Sequence, residues 1–155
     1  MKRIITLNPG WNWVSFNIIT DDMSINTYLN NIQIGSSGWS DGDYIKTQST
    51  SSSFDGNFQY KYTNLNWTTS TGLSEIDTKT MYKIFVSNDI TLEIEGRKSF
   101  RNESSITISG GDDLWNWVSY PLIQNMNVTE IFPNFSNNDV LKSQTQFATF
   151  YNSEW

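Results

Sequence analysis

Apolar and polar residues alternate along most of this chain with a period of two, the signature of strands covered on one or both faces. In Trp11-Asn12-Trp13-Val14-Ser15-Phe16 that period sets Trp11, Trp13 and Ser15 on one face and Asn12, Val14 and Phe16 on the other. Residues 3–7 and 11–18 read as two strands separated by Asn8-Pro9-Gly10, where proline fixes φ and glycine supplies a positive one. Residues 43–50 and 58–62 read as strands around Phe54-Asp55-Gly56-Asn57, whose Asp-Gly pair signals a hairpin. Residues 81–86 and 90–95 read as a further hairpin around Asn88-Asp89. Helices are expected in two places: Asp21-Asp22-Met23-Ser24 offers N-caps to residues 25–29, and Asn127-Val128-Thr129-Glu130-Ile131-Phe132 has the same pattern.

The landmarks occur twice in the same order. Gly10-Trp11-Asn12-Trp13-Val14-Ser15-Phe16 returns as Leu114-Trp115-Asn116-Trp117-Val118-Ser119-Tyr120, and Asp43-Tyr44-Ile45-Lys46-Thr47-Gln48 returns as Asp139-Val140-Leu141-Lys142-Ser143-Gln144. Residues 58–67 are echoed more loosely by 147–155. The offset falls from 104 at Trp11 and Trp115 to 96 at Asp43 and Asp139 and 88 at Trp67 and Trp155, as expected of one fold with shorter loops in its second copy. Gly72-Leu73, Met81-Tyr82-Lys83-Ile84 and Leu92-Glu93-Ile94-Glu95-Gly96 have no counterpart. The expectation is a mostly β protein, between all-β and α+β, made of two tandem homologous modules of antiparallel strands. Each has one short helix, and the second is incomplete. The complete module spans residues 1–96, a charged linker 97–105, and the partial module 106–155, opened by a strand at Ile106-Thr107-Ile108 that leads into Trp115.

Composition narrows the function classes. Ten basic against 16 acidic residues give a net charge of −6, and no run of Lys or Arg is long enough to neutralise a phosphate backbone, so nucleic acid is not an expected partner. No stretch approaches about 18 consecutive apolar residues, so no membrane insertion is expected. Met1-Lys2-Arg3 runs into a short apolar strand without a cleavage pattern, so if Met1 is the true start, export by a signal peptide is not expected. With no cysteine, no histidine and no Gly-x-Ser-x-Gly elbow, Ser-His-Asp hydrolysis and thiolate chemistry are excluded, and neither enzymatic activity nor a cofactor is expected. A two-carboxylate glycosidase is the least favoured option, because the acidic residues cluster in turns rather than a cleft. Asp41-Gly42-Asp43 and Asp112-Asp113 lack the spacing of a twelve-residue calcium loop and read as turns, so no metal site is predicted.

Aromatic residues, 15% of the chain, are the remaining candidates for binding. Trp11, Trp13, Trp115 and Trp117 recur at matched positions, and Trp67 and Trp155 do likewise, which assigns them to core or inter-sheet packing. Trp39 differs, because its polar loop, Gly35-Ser36-Ser37-Gly38-Trp39-Ser40-Asp41-Gly42, has no equivalent in the second copy. It is either a lid over the core or a contact residue. Trp39, Asp41, Asp43, Tyr60 and Tyr62 form the candidate ligand-binding set, with a glycan as ligand because indole faces stack on sugars, although Tyr60 and Tyr62 also fit a core face. Phe147, Phe150, Tyr151 and Trp155 lack the hairpin that would cover their counterparts. They are the candidate oligomer interface, and a homo-oligomer or contact with other subunits is expected.

The series Leu7-x-x-Gly10-Trp11-Asn12-Trp13-Val14-Ser15, Asp43-x-Ile45-Lys46-x-Gln48, Trp67, Gly72-Leu73, Met81-Tyr82-Lys83-Ile84 and Leu92-x-x-x-Gly96 resembles a β-rich repeat module. Such modules occur in large multi-module surface proteins of Bacteroidetes-type bacteria and in structural proteins of marine bacteriophages. The resemblance covers most of the first copy and brings no catalytic residues with it. It implies adhesion or scaffolding. The missing export signal and the incomplete second copy depart from the secreted members and favour a virion component assembled in the host cytoplasm, or a fragment. The alternative is a carbohydrate-binding module of a secreted surface protein.

Overall fold

A computed structural model describes residues 1–54, 67–69, 72–100, 105–110, 114–122, 124–132 and 134–155. These residues are mostly strand, paired antiparallel throughout, with two short helices. They form two compact units, Met1–Leu122 and Ile123–Trp155.

The first unit holds the strands β1 (Lys2–Leu7), β2 (Gly10–Ser15), β3 (Ile18–Ile19), β4 (Tyr44–Lys46), β5 (Ser51–Phe54), β6 (Trp67–Thr69), β7 (Met81–Val86), β8 (Ile90–Glu95) and β9 (Arg97–Lys98) and helix α1 (Ile25–Leu29). One sheet has the order β2-β7-β4-β5-β6; β1 pairs with β8, and β3 with β9. The residues at 81–95 therefore do not make the hairpin that alternation suggests, because β7 and β8 are consecutive in the chain yet lie in different sheets. Each has alternate apolar residues, Tyr82, Ile84 and Val86 on β7 and Ile90, Leu92 and Ile94 on β8. Set in two sheets, the two rows join one shared core instead of competing for a single covering layer. The registers agree: Leu7, Ile5 and Arg3 pair with Ile90, Leu92 and Ile94, and Val14 pairs with Tyr82.

Helix α1 adds Ile25, Tyr28 and Leu29 to that core. The Asp22 carboxylate accepts hydrogen bonds from the Thr27 hydroxyl at 2.7 Å and the Ser24 amide at 2.8 Å, which hold it below the usual carboxylate range. The Tyr28 hydroxyl donates to the Ile18 carbonyl at 2.8 Å, and burial pushes its phenol well above the ordinary tyrosine value.

Residues 43–50 are not one strand. β4 turns at residues 47–50, where the Thr47 amide donates to the Thr50 carbonyl at 2.8 Å, and continues as β5. The Asp-Gly turn and the strand expected at 58–62 lie outside the described residues. The strand expected from Ile106 into Trp115 is absent among the described residues of that segment, and just beyond it Val118 makes one isolated bridge, to Thr80. Its partner is the end of an existing sheet rather than a new strand, so the pairing does not propagate.

The second unit holds helix α2 (Val128–Ile131) and strands β10 (Val140–Lys142) and β11 (Phe147–Thr149). Asn127 caps α2, its side-chain oxygen accepting from the Thr129 amide at 2.9 Å. Phe132, Phe135, Phe150 and Trp155 form a small aromatic core with ring centroids 5.1 to 6.4 Å apart.

Candidate functional site

Alternation on the five-stranded sheet gives it an outward face as well as a core face. Register places Trp11, Phe85 and Tyr44 in one row across β2, β7 and β4, and Trp13, Lys83 and Lys46 in the next. Lys83 and Lys46 are thus direct cross-strand neighbours, a placement that repulsion disfavours unless something offsets it. Indole faces do. The Lys83 ammonium lies 4.4 Å from the Trp13 ring centre and 4.0 Å from that of Trp117; the Lys46 ammonium lies 4.9 Å from Trp11 and 5.9 Å from Trp117. The result is a ladder in the order Trp13, Lys83, Trp117, Lys46, Trp11, in which each cation sits between the negative faces of two rings.

Trp117 reaches this face on a segment held mainly by its backbone. The Gln48 side-chain amide donates to the Trp115 carbonyl and accepts from the Trp117 amide at 3.0 Å. The Ser119 amide donates to the Lys79 carbonyl at 3.4 Å, the Tyr120 amide to the Ser15 hydroxyl at 3.2 Å, and the Asn17 side chain to the Leu122 carbonyl at 3.2 Å. Beside Trp117 opens a cleft of about 310 Å³ lined by residues that include Gln48, Ser49, Thr50, Glu75, Asp77 and Tyr82. The Tyr82 hydroxyl accepts from the Asp77 amide at 2.7 Å, and burial pushes its phenol up to about 12.

The residues singled out from the sequence are placed differently. Trp39 is buried, packs edge-on against Trp67 at 4.9 Å and donates its indole N–H to the Leu29 carbonyl at 2.9 Å. Asp43 is fully buried. Its carboxylate accepts from the Ser40 amide and from both the amide and hydroxyl of Ser87, each at 2.8 Å, which pins the turn between β7 and β8. Asp41 is exposed, while Tyr60 and Tyr62 lie outside the described residues. Of the four interface candidates, Phe150 faces inward and Trp155 is half-buried in the aromatic core, whereas Phe147 and Tyr151 are 76% and 61% exposed. Of the repeated tryptophans, Trp67 is buried in the core and Trp155 joins the aromatic core, but the Trp-Asn-Trp pairs are not core residues: Trp11 and Trp115 are 44% and 57% exposed, and the rings of Trp13 and Trp117 stack on lysines.

Sequence reasoning missed Lys46, Gln48 and Lys83. For Lys46 and Gln48 the available signal was their recurrence as Lys142 and Gln144, since polar residues repeated at matched positions outside the core face serve something other than the core, whereas Lys83 has no counterpart and carried no such signal. Comparison with protein-family models, with curated proteins and with solved structures returned no match. No helix among the described residues is long and apolar enough to cross a membrane.

Proposed function

We propose that this protein is a non-catalytic structural or adhesive repeat protein, a virion or cell-surface subunit that meets its neighbours through open β-edges. One observation carries the reading. Among the described residues β10–β11 stands as a two-stranded sheet, whereas β4–β5, built on the same turn, is flanked by β7 and β6 in a sheet of five.

The likeness of the two hairpins supports reading them as tandem homologous modules. The Ser40 amide donates to Asp43 and the Asp43 amide returns a bond to Ser40, at 2.8 and 3.0 Å; Ser136 and Asp139 repeat both bonds at the same distances. Gly42 has φ 85° and its counterpart Asn138 has φ 77°, the left-handed region that these two residue types tolerate best. Ser143 bonds to Gln146 as Thr47 does to Thr50, at 2.8 Å. Asn12 clasps both backbone polar groups of Asn8, and Asn116 clasps those of Ser109. The resemblance of the motif series to modules of bacterial surface proteins and phage structural proteins points the same way.

Light scattering over a range of protein concentrations tests the proposal. Growth above the monomer mass of 17.9 kDa is expected, and a monomer throughout would overturn it.

The cleft beside Trp117 favours a second reading, a carbohydrate-binding module, since hydroxyl, amide and carboxylate groups meet an indole there. Calorimetric titration with neutral oligosaccharides tests it, and absence of heat across a broad panel would exclude it.

A further inference from the structure

The outward face of β10–β11 carries the counterpart of a lysine that the first unit sets against an indole. Lys142 occupies the place of Lys46, in a hairpin with the same hydrogen bonds. Register and alternation put Val140, Lys142 and Phe147 on one face. Lys142 is exposed there, and Val140 and Phe147 are 43% and 76% exposed. On the first unit, Leu114 and Trp115 are 60% and 57% exposed, on the same segment that presents Trp117 to Lys46 and Lys83.

We propose that a second copy of this chain docks the Trp115 indole of its first unit on the Val140, Lys142 and Phe147 face of the second unit, as Trp117 lies over Lys46. This deepens the assembly reading and rests on it. The chemistry matches on both sides: an indole face for the ammonium, and apolar flanks in Leu114, Val140 and Phe147 that lose water together. Donor and acceptor are different surfaces, so the contact is head-to-tail and each copy keeps one of each to extend the array.

The test is solution mass against concentration for the full chain, Trp115→Ala and the double variant Lys142→Ala/Phe147→Ser, with circular dichroism confirming that each folds. All three positions are exposed, so the folded state is expected to persist. The wild-type chain is expected to grow beyond a dimer, each variant alone to remain at the monomer mass, and a mixture of the two variants to stop at a dimer, because one intact donor then meets one intact acceptor. If wild type assembles but either variant does so equally well, or the mixture stays monomeric, this contact is wrong while the assembly reading stands. If wild type is monomeric at every concentration, both fail.

Discussion

The indole N–H of Trp155 donates to the main-chain carbonyl of Phe132 at 3.0 Å, closing the C-terminal end of α2. In the first unit Trp39 does the same for Leu29, the last residue of α1, at 2.9 Å. The two tryptophans come from non-equivalent places. Trp155 is the echo of Trp67, and Trp67 packs against Trp39 without replacing it. Where the loop bearing Trp39 has no counterpart, the other member of the pair makes the bond, because a carbonyl at a helix end needs a donor whatever segment supplies it.

Trp155→Phe keeps an aromatic ring among Phe132, Phe135 and Phe150 but removes the donor. A loss of about 1 kcal/mol is expected. It is read as roughly fivefold faster amide hydrogen exchange across α2 and β10–β11, with the first unit unchanged. Trp155→Ala removes the ring as well and is expected to cost about 3 to 5 kcal/mol, enough to lose protection in this unit altogether.

Asp43 and Asp139 occupy equivalent turns, yet only Asp43 is buried and bonded to Ser87. Asp43→Ala leaves several donors without an acceptor and is expected to cost about 2 to 4 kcal/mol in urea unfolding. Asp139→Ala, at the surface, is expected to cost less than about 1 kcal/mol.

Gln48→Ala removes both bonds to the Trp115 and Trp117 backbone. The expected result is exchange of the Trp117 amide faster by about fivefold to tenfold, with the β7 amides unaffected. Lys83→Gln should loosen the same segment by a smaller amount, about 0.5 to 1 kcal/mol, through the lost cation–indole contacts.

Gly96 leaves no room for a side chain: a Cβ there would stand 2.3 Å from the Ile19 carbonyl oxygen. Gly96 also exchanges backbone hydrogen bonds with Met1. Gly96→Ala is expected to cost about 1 to 3 kcal/mol by forcing β3 away, seen as a lower thermal midpoint.

Tyr28 and Tyr82 are both raised by burial, Tyr82 to about 12. A tyrosine titrates near 10 in an unfolded chain, so above that pH the unfolded state has lost protons that the folded state still holds. Stability from these two residues is complete below about pH 10 and falls as pH rises through about 12. Urea midpoints measured from pH 8 to 12 should fall mainly above pH 10, and Tyr82→Phe should flatten the fall.

Local structure was legible wherever neighbouring residues decide it. The helix at 128–131, the strand alternation of Trp11 to Phe16 and the recurrence of the Asp43 turn at Asp139 follow from capping chemistry, two-residue periodicity and turn residues, and the helix at 25–29 stands where capping residues predict one although Ser24 makes no side-chain cap bond. The candidate site was not legible in the same way. Trp39 in a polar loop looks the same in sequence whether it faces solvent or caps a helix, and alternation separates two faces of a strand without saying which one is covered.

By itself the sequence determined that the protein is mostly β, that the Trp-Asn-Trp and Asp43 to Gln48 landmarks occur twice, and that Gly10 bends the backbone with a positive φ, since these depend on the chemistry of a few adjacent residues. Only the tertiary structure decided that β7 and β8 enter different sheets, that Trp39 and Asp43 are buried, and that Lys46, Lys83 and Gln48 receive the second Trp-Asn-Trp segment. Those outcomes turn on which surfaces exclude water from one another across distances of many residues. Periodicity within a strand does not encode that competition.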